Sequence, residues 1–377
     1  MNRLCLVISV LWAAAGIAHS QFSAEGSLTT MADDNINNSS LPIGDRVTDV
    51  SFVLGYDWDT ETSNTRLSSA GSLDYFSSIT DRTYLSHSFE LTSSHLFSEE
   101  KKSSVNAGAG SSVRLGRGEY TFYDNTQFSL HAGYRQSLAE DIAGKISYAV
   151  RIVRFAQLVE MNYVEHDARV QCTALLPTHT TLILEADIGA KVYSAPADGG
   201  AAWTGMQGRR VRHTITTSTA GAVQGIGLVR IGQRLAEGTG LSFTATYQVN
   251  VQNEPRYLSS EYGVIAGDEL FDDHYGYEGV HATLMVTQFL PADVRFQVSG
   301  SIQQRGYPSR PAYDLNGILR AAHRDDTQRT IAVLAEKPFE SPGIILGLSY
   351  DRTDNNSNDL FSTYTKSVYS LRVSYAY

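Results

Sequence analysis

The sequence has 377 residues, with 30 Lys+Arg against 40 Asp+Glu, a net charge of −10, and 42% apolar against 19% charged residues. These proportions exclude disordered and collagen-like chains, and the acidic balance argues against a nucleic-acid partner. Two Cys exclude a disulfide scaffold, and 21 Tyr plus 14 Phe at negative mean hydropathy are more aromatic rings than a soluble core of this polarity calls for.

Residues 1–20 read as a secretory signal peptide: Arg3, an apolar stretch from Leu4 to Ala18, then Ala18-His19-Ser20. The apolar stretch is shorter than the roughly 20 residues of a spanning helix. Cys5 leaves with this segment, so Cys172 stands alone and residues 21–377 form one domain.

Beyond the leader the chain alternates with period two, the mark of strands. Val50, Phe52, Leu54, Tyr56 and Trp58 alternate with small or polar residues. So do Leu85, His87, Phe89 and Leu91; Phe128, Leu130, Ala132 and Tyr134; and Ile146, Tyr148, Val150 and Ile152. The pattern continues at Leu182 to Ile188, Leu241 to Val251, Val280 to Val286, Val294 to Val298 and Ile344 to Tyr350. It closes with Tyr369, Leu371, Val373, Tyr375 and Tyr377. Residues 21–30 and 65–77 alternate weakly.

Each file is about ten residues long, enough for a tilted strand to cross a bilayer. The partner file is polar: Ser242, Thr244, Thr246, Gln248 and Asn250 in one segment. A membrane sheet cannot leave an edge open, because unpaired backbone groups cost several kcal/mol each in hydrocarbon, so these strands must close on themselves. Short links are expected at 59–64, 98–102, 139–143, 177–180, 236–240, 291–293 and 340–343. Longer ones are expected at 31–46, 77–82, 116–125, 155–167, 196–220, 253–275, 305–324 and 353–365. Short and long links alternating in this way are the habit of bacterial barrels, and both mature termini fall on the short-turn side. The expected fold is a closed antiparallel transmembrane β-barrel of about 16 strands, with 14 to 18 as the bracket. Tyr56, Tyr134, Tyr148, Tyr247, Tyr350 and Tyr375 are expected in aromatic interface girdles.

The last eleven residues, Ser367-Val368-Tyr369-Ser370-Leu371-Arg372-Val373-Ser374-Tyr375-Ala376-Tyr377, resemble the terminal strand of bacterial outer-membrane β-barrel proteins. That resemblance implies that Tyr369, Leu371, Val373, Tyr375 and Tyr377 serve as the sorting signal for the barrel-assembly machinery. Tyr377 departs from the family's usual Phe while keeping the aromatic ring. The C-terminal hairpin is also similar to porin-like barrels of envelope polysaccharide gene clusters, over about 55 residues. The carriers are Arg324-Asp325-Asp326, the strand ending at Pro338, Leu348-Ser349-Tyr350 and Asn356-Ser357-Asn358.

If the apolar files face lipid, Arg114, Arg135, Arg151, Arg169, Arg230, Arg295 and Arg372 line the lumen from seven strands, with Glu185, Asp187 and Lys191 beside them. A basic wall favours anions; the structural alternative pairs these arginines with carboxylates. The 196–220 link, with Trp203, Arg209, Arg210 and Arg212, is long enough to narrow a pore.

No Gly-x-Ser-x-Gly, His-Glu-x-x-His, phosphate-loop or paired-Cys motif is present, so no enzyme and no cofactor are expected. Asp272-Asp273-His274 is the one cluster held open for catalysis. No metal site is assigned, and Asp268, Glu269, Asp272 and Asp273 are weak carboxylate candidates for a divalent cation. The sequence thus points to a porin-like barrel in the outer membrane of a Gram-negative-type bacterium. It would pass small or anionic solutes or serve an envelope polysaccharide, with lipid, lipopolysaccharide and the assembly machinery as partners. The alternative is a non-conducting surface barrel whose loops bind a partner, a polysaccharide or a cation.

Overall fold

The computed structural model describes residues 21–98, 102–194, 202–204, 210–213, 221–260, 270, 273–340 and 343–377. The leader segment 1–20 lies outside the described residues. The first nine strands are β1 (Phe22–Asp33), β2 (Asp45–Asp59), β3 (Ser63–Phe76), β4 (Tyr84–Ser98), β5 (Ser103–Leu115), β6 (Asn125–Ala139), β7 (Ile142–Phe155), β8 (Tyr163–Leu176) and β9 (Thr180–Tyr193). Short strands β10 (Ala202–Thr204) and β11 (Arg210–His213) precede β12 (Gly221–Ala236) and β13 (Thr239–Asn253). The last are β14 (Leu258–Ser260), β15 (Glu278–Leu290), β16 (Val294–Tyr313), β17 (Leu319–Phe339), β18 (Ile344–Ser357) and β19 (Tyr364–Ala376).

All but β10, β11 and β14 close into one antiparallel barrel of sixteen strands, each paired with its neighbours in sequence order and β1 sealed against β19. The seam runs from Glu25 opposite Ala376 to Asp33 opposite Val368, and reciprocal bonds between Ala24 and Tyr377 finish it (3.1 and 2.8 Å). The short links are tight turns. Gly238, at φ +75°, makes the two-residue reversal between β12 and β13. Both weakly alternating segments, in β1 and β3, are full strands whose register is dictated by their neighbours.

The exterior carries the apolar files: Leu28, Val50, Leu85, Phe128, Leu130, Ile146, Leu184, Leu284, Leu348 and Leu371 are all exposed. Packed apolar side chains instead lie where the long connections fold together. Tyr120, Phe122, Val153, Phe155, Leu158, Met161, Tyr163, Tyr193 and Leu270 form one cluster, and Ile36, Val47 and Phe76 another.

Three expectations need correction. The strands run 12 to 21 residues, longer than the apolar files, because their loop ends continue above the apolar band with polar residues. The expected loop 305–324 is largely strand: β16 runs on to Tyr313 and β17 starts at Leu319, the two pairing as far as that position, with register breaks around Pro311 that let a proline sit in the ladder. Tyr148 and Tyr247 are followed by the outward apolar residues Val150 and Val249 and do not end their files, so only part of the expected tyrosine set lies in girdles.

Candidate pore lining and the inward strap

Period-two alternation fixes which side chains point inward once the register is known. On β13 the inward file is Asn250, Gln248, Thr246, Thr244 and Ser242, facing Gln224, Ile226, Leu228, Arg230 and Gly232 of β12. On β5 it is Arg114, Ser112, Gly110, Gly108 and Asn106, and on β18 it is Asn355, Thr353, Asp351 and Ser349. The interior wall is therefore rich in hydroxyl, amide and charged groups, while the exterior opposite is apolar.

All seven sequence-derived arginines fall on this inward file, and most of them have carboxylate partners. Arg151 Nη2 is 2.6 Å from Glu165. Arg169 Nε lies 2.8 Å from Asp187 and 3.6 Å from Glu185, and Arg295 bonds Glu336. Arg372 reaches Glu25 at 3.5 Å. The Arg114 guanidinium stacks over Tyr84 (4.1 Å) and Tyr123 (5.0 Å). Arg230 donates to the Thr244 hydroxyl at 3.3 Å, and Arg135 faces Lys145 and Ser104 in register. Neither Arg135 nor Arg230 forms an ion pair among the described residues.

The expectation that arginines dominate the wall is overturned by the register. Glu25, Asp49, Asp57, Asp74, Glu90, Glu165, Glu336 and Asp351 share the inward face. Glu25 and Asp74 sit in the weakly alternating segments, whereas Asp49, Asp57, Glu90 and Asp351 adjoin outward residues of the written alternating files. Charge is also segregated around the lumen. β1 to β4 contribute Glu25, Asp49, Asp74 and Glu90, with Arg66 paired to Asp57 at 3.3 Å. β5 to β7 contribute Arg114, Arg135, Lys145 and Arg151. The inward file of β13 carries no charge.

At the loop end the connection after β13 folds onto this wall. Asp273 is fully buried, and its carboxylate lies 2.5 Å from the equally buried Lys191 of β9. The Lys191 ammonium also sits 3.8 Å above the Tyr163 ring. Asp273 accepts from the Tyr275 backbone N–H, and the Tyr275 hydroxyl donates to Glu165 at 2.9 Å. Burial, then the Glu165 charge, push the Tyr275 hydroxyl well above its ordinary range, so it remains a donor. Gln224 and Gln248 donate to the carbonyls of His274 and Tyr277. Gly189 leaves room for the Tyr275 hydroxyl; a Cβ there would lie 2.4 Å from it. Residues 273–277 thus form a strap held across the inner wall of β8, β9, β12 and β13. Its neighbour Arg256 bonds the Glu160 carbonyl and stacks on Tyr193 (4.8 Å).

Sequence reasoning missed the strap. Asp273, a weak cation candidate and part of the cluster held open for catalysis, instead has its carboxylate occupied by Lys191. Asp268, Glu269 and Asp272 lie outside the described residues, and among the described residues no cluster of three metal-ligating side chains occurs. His274 Nδ1 is 3.4 Å from Asp273, and among the described residues no hydroxyl nucleophile is bonded to it. Trp203, Arg210 and Arg212 belong to the small sheet β10–β11–β14, which joins the 193–221 connection to the one after β13; Arg209 lies outside the described residues. Tyr369, Leu371, Val373, Tyr375 and Tyr377 line the exterior at the seam.

The chain matches no family model and no curated protein. Solved structures do resemble it. OccAB1 of Acinetobacter baumannii aligns at a TM-score of 0.52 and 8% identity, covering 95% of this chain and 96% of that one. OpdL of Pseudomonas aeruginosa aligns at 0.50 and 10% identity, covering 95% and 98%. OccAB4 of Acinetobacter baumannii aligns at 0.50 and 11% identity with the same coverage, 95% and 98%. The fold is a porin-like barrel. At these identities the likeness is one of architecture, so the porin-like barrel's lumen has to be read from its own residues.

Proposed function

We propose that this protein is a passive channel of the bacterial outer membrane for small charged solutes. The observation that carries the reading is an inward face rich in polar and charged side chains within an apolar exterior, on a closed barrel of sixteen strands. A soluble barrel would reverse those two faces. The fold shared with outer-membrane porins supports the location, as does the aromatic exterior of the closing strand. The packed loop end of the lumen favours small solutes over a polymer, and so speaks against polysaccharide export.

Arg135 and Arg230, which lack carboxylate partners among the described residues, are the groups that favour anions; the acids of β2 stand across the lumen from Arg230, and those of β4 lie two strands from Arg135. The field they create orients solutes carrying both signs. Planar-bilayer recording tests this. The expected result is stepwise conductance in a KCl gradient, with a reversal potential set by both signs of inward charge. Arg135→Ser with Arg230→Ser should move the reversal potential toward the cation side. A correctly folded barrel that conducts nothing would instead favour the non-conducting surface barrel.

A further inference from the structure

The exterior of β1, β2 and β17 to β19 departs from a plain apolar belt. A groove of about 540 Å³ runs over this face, lined by Val333, Ala335, Leu348, Tyr350, Tyr369 and Leu371. Small side chains form its floor, and the Tyr350 and Tyr369 rings, 4.8 Å apart, stand along it. Toward the loop end the chemistry changes within two residues. The next outward position on β18 after Tyr350 is Arg352, placed between Ser367 and Ile331. Beyond it lies the row Thr365, Asp354 and Arg329. Those three residues line a second cavity of about 670 Å³, closed on one side by Asn35, Ser39 and Ser40 of the β1–β2 connection. Arg46, at the β2 edge of the groove, adds a third outward guanidinium.

Guanidiniums are expensive against hydrocarbon and belong at the headgroup level. Among the described residues the only carboxylate lining the second cavity, Asp354, is already engaged by Arg352 and the Thr365 hydroxyl (3.4 and 2.9 Å). Arg329, opposite Asp354 in register, acts on the same carboxylate, so two guanidiniums share one acid and a net positive charge remains. An apolar groove leading directly into a cationic, hydroxyl- and amide-rich cavity matches one molecule that is apolar below and phosphorylated above.

We propose that this face is a built site for a phosphorylated glycolipid of the outer leaflet. Its acyl chain lies along the Leu348–Tyr350 groove, and its phosphosugar headgroup sits against Arg329 and Arg352. The charge complementarity and the position at the loop end commit the site to an anionic lipid of the external leaflet and not to a second copy of the chain. The proposal rests on the outer-membrane reading above.

The test uses the full chain in detergent, probed by native mass spectrometry with bis-phosphorylated lipid A or phosphatidylglycerol. Lipid A should be retained preferentially. Arg329→Ser with Arg352→Ser should weaken its retention by about tenfold or more, as expected for loss of charge-assisted phosphate contacts. Ala335→Trp, filling the groove, should weaken it independently. Both variants should keep heat-modifiable migration and unchanged conductance, since neither touches the lumen. Equal retention by wild type and both variants, or a preference for phosphatidylglycerol, overturns the site while leaving the channel standing. So does concentration-dependent oligomerisation blocked by Ala335→Trp. A chain that does not enter vesicles as a heat-modifiable barrel overturns both readings.

Discussion

Two ion pairs on the inner wall use the same chemistry in opposite surroundings. At the turn end, Arg372 and Glu25 lie 3.5 Å apart and are each about half exposed (49% and 48%). At the loop end, Lys191 and Asp273 lie 2.5 Å apart and are sealed from solvent (2% and 0%). The first is screened by water and salt and contributes little. In the second, each charge has lost its hydration, so neither can be left alone without a large cost. The lumen therefore has an open, adjustable end and a locked end, and the strap at 273–277 is the part that separates them.

The largest effect is expected from opening the lock. Lys191→Met leaves a buried carboxylate uncompensated and should destabilise the loop end by about 3–5 kcal/mol. This is measurable as earlier loss of the heat-modifiable form and as increased single-channel conductance when the strap detaches. Lys191→Met combined with Asp273→Asn should recover most of the loss, because Asn still caps the Tyr275 N–H. A double variant no better than the single one would show that Lys191 acts through its neighbouring rings.

A third environment, the lipid-facing exterior, sharpens the contrast. Leu284→Arg or Leu346→Arg should impair assembly by about 2–4 kcal/mol. Inward Thr246→Arg, on a wall wetted by the lumen, should be tolerated far better when folded protein is quantified after refolding into vesicles.

A smaller effect is expected at Tyr275. Tyr275→Phe removes the hydrogen bond to Glu165 and should cost about 1–2 kcal/mol. The folded pKa of this hydroxyl is raised above the ordinary 10.0. Its contribution is accordingly complete below about pH 10 and lost as pH rises through the higher folded value. Alkaline titration of the heat-modifiable transition should show that decline in the wild type and lose that component in Tyr275→Phe.

The smallest change belongs to the open end. Glu25→Gln should shift stability by less than about 1 kcal/mol, and any shift should shrink at high salt. A loss as large as that of Lys191→Met would show that the turn end is locked too.

Alternation along each segment and the alternating lengths of the links were enough to specify the barrel, a strand number of about sixteen and the faces of the seven arginines, while closure at sixteen was fixed by the pairing. Both are local: a pleated strand turns its side chains over every residue, whatever it pairs with. Which charges meet was decided elsewhere. Arg151 finds Glu165, and Arg295 finds Glu336 from 41 positions away, only because the register places them opposite. Asp273 finds Lys191 from 82 positions away because a long connection folds back onto the wall. The segment expected as a long link at 305–324 is carried mostly in two strands, with register breaks around Pro311. Periodicity reports the direction in which a side chain points, whereas burial and pairing depend on what the closed barrel and its inserted loops bring to the other side.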